Sequence, residues 1–186
     1  PAGGQGYEEV HVTAAGNIAM AAKAAGASTL VHASALGADP DSESDYARTK
    51  AEGETALREE FAAATILRFS LLAGADDKFF NKFAALARIA PALPLIGGGR
   101  TKFQPLFVGN AAEAVLKCVQ DRSTHGKTYE LGGPNIYTFK EILQIVLRET
   151  GRSRPLISIP FWLASLKAMI LQLLPGALLT PDQVRF

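Results

Sequence analysis

Residues 44–54 read Ser44-Asp45-Tyr46-Ala47-Arg48-Thr49-Lys50-Ala51-Glu52-Gly53-Glu54. Ser44 and Asp45 are residues that open helices, and the pattern predicts a helix from about Ser44 to Phe61. Tyr46 and Lys50 are four residues apart, so they share a helical face. Immediately upstream, Thr29-Leu30-Val31-His32-Ala33-Ser34 reads as a buried strand, and Asp39-Pro40-Asp41-Ser42 as a loop. Strand, loop and helix in that order are the unit from which parallel sheets are built. In such sheets ligands bind beyond the carboxyl ends of the strands, where Ser34 and Phe69 fall, with Tyr46 one turn into the helix after the first. An ammonium beside a phenol favours the phenolate, so Lys50 is expected to lower the Tyr46 pKa and make it a usable acid or base. A bare Tyr-x-x-x-Lys also arises by chance. The plain alternative is two side chains that merely share a face.

The same alternation extends outward. Glu8 to Ala25 reads as an alanine-rich helix closed by Gly26, and Thr65–Phe69 as a second strand. Asp77 to Ala90 reads as a helix stopped by Pro91 and Pro94. Gly97-Gly98-Gly99-Arg100 is a turn, followed by a strand through Phe107-Val108. Asn110 is expected to cap a helix running to Gln120, and Lys127–Leu131 to form a strand. Thr138-Phe139-Lys140-Glu141 is a capping box whose helix ends near Gly151. Leu156–Ile159 is a short strand before a final apolar helix. The fold class expected is α/β, a Rossmann-like parallel sheet flanked by helices, with a small C-terminal helical and strand lobe.

Composition removes several functions. The chain has 186 residues and 48% hydrophobic content, enough for a real core and unlike a disordered segment. Nineteen basic residues against eighteen acidic leave a formal charge of +1, which gives no reason to expect nucleic acid as a partner. His11, His32 and His125 have no ligand spacing, and one cysteine cannot build a zinc site, so no metal is assigned. Cys118 reads as a small apolar core residue.

The strand ending at Ser34 and the Tyr46–Lys50 helix resemble the short-chain dehydrogenase/reductase superfamily in its extended or atypical branch. By that resemblance Tyr46 is the proton donor and acceptor, and Lys50 also holds the nicotinamide ribose. Arg68-Phe69-Ser70-Leu71-Leu72-Ala73-Gly74 is similar to the segment after the sixth strand, whose backbone touches the nicotinamide end. The cofactor-binding set so implied is Ser34, Tyr46, Lys50, Phe69, Ser70 and Leu71. Three further stretches are more specific: Leu30–Asp39, Asp77–Phe83, and Phe103-Gln104-Pro105-Leu106-Phe107-Val108. They resemble one subfamily, the NADPH-binding accessory subunits of respiratory complex I and their bacterial relatives. The resemblance implies residues 1–90 as the C-terminal part of an NAD(P)-binding Rossmann domain. It implies residues 91–186 as a mixed substrate-side lobe with an interleaved Rossmann strand and helix.

The chain departs from the enzyme pattern in ways that matter. Enzymes of the superfamily commonly end the fifth strand in Ser-Ser, and the second serine holds the substrate oxygen. Here the pair is Ser34-Ala35. The serine role is either shifted to Ser34 or vacant. The fourth-helix Asn corresponds to His11, and the Pro after the sixth-strand Arg to Phe69. A dinucleotide fold also needs a glycine-rich phosphate loop between its first strand and first helix. Gly3-Gly4-Gln5-Gly6 follows no strand, and Gly97-Gly98-Gly99 is followed by no helix. The phosphate loop is therefore expected upstream of Pro1, and with it the residues that choose NADP over NAD. Strands lost with it would leave a sheet edge open to oligomerisation.

The run Phe161–Leu174 is apolar but too short to span a bilayer, which needs about twenty residues. It reads as a core helix or as a contact for a partner subunit or the membrane face. Two functions from different classes stand at this point. The first is an NAD(P)H-binding accessory or assembly subunit in the bacterial cytoplasm, peripheral to the inner membrane, with respiratory complex I subunits as partners and a structural cofactor. The second is a free NAD(P)-dependent oxidoreductase or epimerase.

Overall fold

The computed structural model describes residues 6–160. The apolar run from Phe161, the helix start expected at Thr180, and most of the Gly3–Gly6 loop lie outside them. The described chain divides into two compact units. One holds residues 6–70 and 109–131, and the other residues 71–108 and 132–160. The division falls after Ser70, and the excursion 109–131 returns to the first unit. The boundary expected at residue 90 falls inside the second unit.

The first unit is built on a parallel sheet, with β1 (Val31–Ala35), β2 (Thr65–Phe69) and β7 (Thr128–Leu131) in that spatial order. Val31 pairs with Thr65 and Ile66 with Thr128, so Ala35, Phe69 and Leu131 finish on the same edge. β2 is central, and its Thr65, Ile66 and Leu67 are fully buried. β-branched and long aliphatic side chains suit a strand covered on both faces. Two helices pack beside the sheet, α1 (Ala14–Ala24) and α2 (Asp45–Glu60). Their shared core is made of small residues, Ala15, Ala19 and Ala64 around Leu57. Ser44 caps α2 by accepting the Ala47 N–H. α4 (Val108–Gln120) precedes β7 and buries Ala111 and Cys118, in keeping with the expectation that this cysteine is a core residue. The helix begins at Val108 and not behind an Asn110 cap, because the strand before it ends a residue sooner than its apolar pattern suggests.

The alanine-rich helix expected from Glu8 is two structures. Glu8–Thr13 forms a π-helix and only then does the chain tighten into α1. The wide turn lies against α2 at Gly53. A Cβ at Gly53 would overlap the His11 carbonyl oxygen, so a glycine is required for this approach. π-turns are rare, and they often mark functional sites.

The second unit holds three strand pairs. β3 (Leu72–Ala73) runs parallel to β6 (Leu106–Phe107), and β4 (Leu93–Ile96) parallel to β9 (Leu156–Ile159). β5 (Lys102–Phe103) is antiparallel to β8 (Tyr137–Thr138). α3 (Phe80–Ile89) and α5 (Phe139–Glu149) pack on each other and against β4. α3 starts three residues later than expected, because the Asp77 carboxylate accepts the Phe80 N–H at 2.5 Å and so marks the entry from outside the helix. The core is large and aromatic. Phe83 and Phe139 have centroids 5.3 Å apart, and Phe79 and Phe103 join them against Leu93, Leu95, Leu143 and Val146. Thr138 and Glu141 form the expected capping box at the start of α5. β4 is absent from the sequence reading because Pro94 reads as a breaker. Proline has no N–H, and its position beside Ile157 in a two-stranded pair leaves one side free of ladder partners. Gly97, Gly98 and Gly99 all take positive φ, which confirms the tight turn between strands.

The nearly neutral chain hides a segregation of charge. The described part of the first unit carries thirteen acidic and eight basic residues, that of the second four acidic and nine basic. Among the described residues no helix is long and apolar enough to cross a membrane.

Candidate functional site

The carboxyl edge of the first unit's sheet and the N-terminal turns of α2 bring Tyr46 and Lys50 together. The Lys50 Nζ lies over the Tyr46 ring, 6.0 Å from its centroid. Both side chains are half-buried. The π-turn supplies the other walls. His11 stacks on Tyr7 at 5.2 Å and meets the Tyr46 ring edge-on at 5.4 Å. Tyr7 contacts Tyr46 edge-on at 6.0 Å.

Electrostatics reverse one expectation. The Tyr46 phenol is pushed up from its ordinary pKa, by burial first and by Tyr7 second. The Lys50 ammonium is pulled down by burial, with Glu54 opposing. Desolvation of both groups thus outweighs the phenolate-favouring effect anticipated from the i, i+4 spacing. Tyr46 here is a protonated hydrogen-bonding phenol. His11 falls to about 4 through burial and the positive charge of Lys50, so its imidazole is neutral at pH 7. Its Nδ1 lies 2.8 Å from the Thr49 hydroxyl. That hydroxyl already donates to the Asp45 carbonyl at 2.7 Å, so it accepts from His11. Nδ1 is then the protonated nitrogen and Nε2 an acceptor.

The other residues of the expected set are placed as follows. Ser34 is buried near the end of β1, and its Oγ donates to Glu54 Oε1 at 2.5 Å. Its hydroxyl is therefore committed to an internal carboxylate. Ala35, in the position where the enzymes commonly carry serine, is buried and offers no donor. The Phe69 carbonyl accepts from the Leu36 N–H, and the Ser70 N–H donates to the Leu131 carbonyl, both 2.9 Å. Leu71 falls in the second unit, where its carbonyl accepts from the Leu106 N–H.

Four residues near the pair were missed from sequence. The buried Glu54 carboxylate pairs with the half-buried Arg68 guanidinium, with Arg68 Nη2 2.8 Å from Glu54 Oε2 and Nε 2.9 Å from Oε1. Arg68 also reaches Glu130 on β7 at 3.4 Å. Glu54 continues the Tyr46–Lys50 spacing by four more residues, a signal that could have been read. Thr49 and Tyr7 become visible only when the π-turn is known to fold against α2. Among the described residues no group of three or more His, Cys, Asp or Glu side chains could hold a metal.

A family model described as the NAD dependent epimerase/dehydratase family matches residues 4–132. The chain belongs to that family. Family members similar to it include a mitochondrial protein of Arabidopsis thaliana named NADH dehydrogenase [ubiquinone] 1 alpha subcomplex subunit 9, 37% identical over 88% of this chain and 40% of that one. A second is the mitochondrial NADH-ubiquinone oxidoreductase 40 kDa subunit of Neurospora crassa, 32% identical over 83% of this chain and 40% of that one. The chain thus spans about 40% of the length of these relatives. Among solved structures, a dTDP-glucose 4,6-dehydratase of Streptomyces venezuelae with NAD bound superposes with TM-score 0.72 at 20% identity, over 82% of this chain and 54% of that one. A UDP-glucuronic acid 4-epimerase of Bacillus cereus superposes with TM-score 0.69 at 15% identity, over 81% and 54%. These likenesses show the Rossmann-type fold that the family shares.

Proposed function

We propose that the chain is the ribose-holding part of an NAD(P)H-binding accessory or assembly subunit related to NADH:ubiquinone oxidoreductase, with a cofactor that is structural. The relatives' names support the partner, complex I subunits, and a position peripheral to the membrane. For a bacterial protein this corresponds to the cytoplasmic face of the inner membrane. The observation that carries the structural role is local. Tyr46 stays protonated beside Lys50, while the Ser34 hydroxyl is spent on Glu54 and Ala35 has none to give.

The residues fit a nicotinamide dinucleotide at its ribose end. A phenol and an ammonium side by side present donors to vicinal hydroxyls, and by the family resemblance the backbone after Arg68 would face the nicotinamide. When bound, such a group supplies hydride chemistry. Lys50 holds the ribose, Tyr46 orients it, and the stacked Tyr7 and His11 keep water from the phenol. Among the described residues no glycine-rich turn opens a helix, so they offer no helix N-terminus built for the pyrophosphate.

The deciding experiment is a thermal-shift series on the full-length protein with NADPH and with NADH, beside a panel of carbonyl and nucleotide-sugar substrates. Tyr46→Phe should leave the cofactor-dependent shift nearly unchanged. Lys50→Ala should reduce it, because a charged contact is lost. Retention of complex I subunits on the tagged protein from native membranes tests the partner. The second reading, an oxidoreductase or epimerase with Tyr46 and Lys50 as its catalytic pair, is favoured by the survival of that pair. Robust turnover abolished by Tyr46→Phe would establish it in place of the first.

A further inference from the structure

Glu54 lies one turn along α2 from Lys50, and its carboxylate is buried against the sheet. Both of its oxygens are engaged. Oε1 accepts from the Ser34 hydroxyl of β1 and from Arg68 Nε of β2, and Oε2 accepts from Arg68 Nη2. Arg68 in turn reaches Glu130 of β7. One carboxylate on the helix is therefore connected to all three strands. Near the end of α2, Arg58 adds a bond to the Thr128 hydroxyl of β7 at 2.6 Å.

We propose that Glu54 is a positioning residue: through Ser34 and Arg68 it fixes the rotation and axial register of α2 on the sheet, and so aims Tyr46 and Lys50 at the cofactor ribose. The assignment rests on the ribose-holding function proposed above.

The argument separates orientation from stability. A buried ion pair adds little net stability over an apolar pair of the same volume. A two-point guanidinium–carboxylate fork, unlike an apolar contact, has one good geometry. The strip of α2 beside this face shows why a fix is needed. There Gly53 meets the His11 backbone, and the α1–α2 core is mostly alanine. Small, smooth side chains allow close approach but resist sliding and rotation poorly. Tyr46, Lys50 and Glu54 share one face at spacings of four, so a rotation that loosens Glu54 swings the other two by the same angle. A misplacement of about 1 Å is enough to weaken a preorganised site.

The test uses the full-length protein with NADPH as probe. Glu54→Gln keeps the shape and removes the charge. Ser34→Ala removes one donor and is the milder variant should Glu54→Gln fold poorly. Ile66→Ala is the control, since Ile66 is fully buried in β2 and outside the clamp. Its loss of melting temperature is matched to that of the clamp variants by choice of temperature. The expected result is an NADPH Kd raised about tenfold or more by Glu54→Gln and less by Ser34→Ala, with the control near wild type. Amide hydrogen exchange without cofactor should quicken at residues 46–50 in the clamp variants and not in the control. Equal weakening of NADPH binding by control and clamp variants at matched stability overturns the proposal. So does unchanged exchange at 46–50. If the wild type binds neither NADPH nor NADH, the proposed function fails, and the exchange comparison alone judges whether Glu54 orients the helix.

Discussion

The two units reach order by opposite means. The first packs alanines, closes backbone on backbone at Gly53, and links helix to sheet with an ion pair on a buried carboxylate. The second fills its centre with Phe79, Phe83, Phe103 and Phe139 and a ring of leucines. Burial of large apolar side chains gives stability and tolerates small shifts. Small residues and directed hydrogen bonds give less area and more geometry. The unit that carries Tyr46 and Lys50 is the one built for geometry, as the proposed ribose clamp requires.

That contrast can be broken by experiment. The largest effect is expected from Phe139→Ala, about 4 kcal/mol lost from the second unit by cavity formation. Native-state hydrogen exchange should show the loss in α5 and β4 while β1 and β2 keep their protection. Equal loss in both units would mean that they do not order independently. Gly53→Ala is expected to cost about 3 kcal/mol, since the methyl must displace the His11 carbonyl. Chemical denaturation measures it, and a near-neutral result would show that the π-turn is not held where Gly53 meets it. Thr138→Ala removes the capping box of α5 and should cost about 1 kcal/mol, seen as a lower melting temperature with no change in cofactor binding.

The smallest effect is a change of slope. His11 is held near 4 in the folded chain and titrates near 6.5 when unfolded. The unfolded state then binds the extra proton first. This contribution to stability is complete above pH 6.5 and is lost as pH falls toward 4. His11→Phe keeps a ring against Tyr7 and removes the titration. Its melting temperature should fall less steeply across that window than the wild type's. Parallel curves would refute the assignment.

Much of this was legible from the residues. Strand, loop and helix around Tyr46 gave the parallel unit, because alternating burial periods are local signals. The capping box at Thr138 was equally local. The π-turn was not, since Ala-rich sequence favours an α-helix and only the partner glycine at position 53 distinguishes the two. Strand β4 was hidden by Pro94, whose local meaning as a breaker was overridden by a register that wastes no donor. The pKa direction at Tyr46 failed for a related reason. Spacing shows a charge nearby, but desolvation depends on residues as distant as Tyr7 and His11, which only the fold assembles. Glu54 and Arg68 lie fourteen residues apart, and nothing in their separate helix and strand patterns joins them.

The segregation of charge between the two units has a consequence for how copies of the protein meet in solution. A net charge of +1 provides almost no mutual repulsion, while an acidic unit on one molecule attracts a basic unit on another. Such attraction acts over a Debye length, about 30 Å at 0.01 M salt and about 8 Å at physiological ionic strength. The protein should therefore salt in. Light scattering should show clusters in dilute buffer that disperse as sodium chloride is added, the reverse of what apolar association would give.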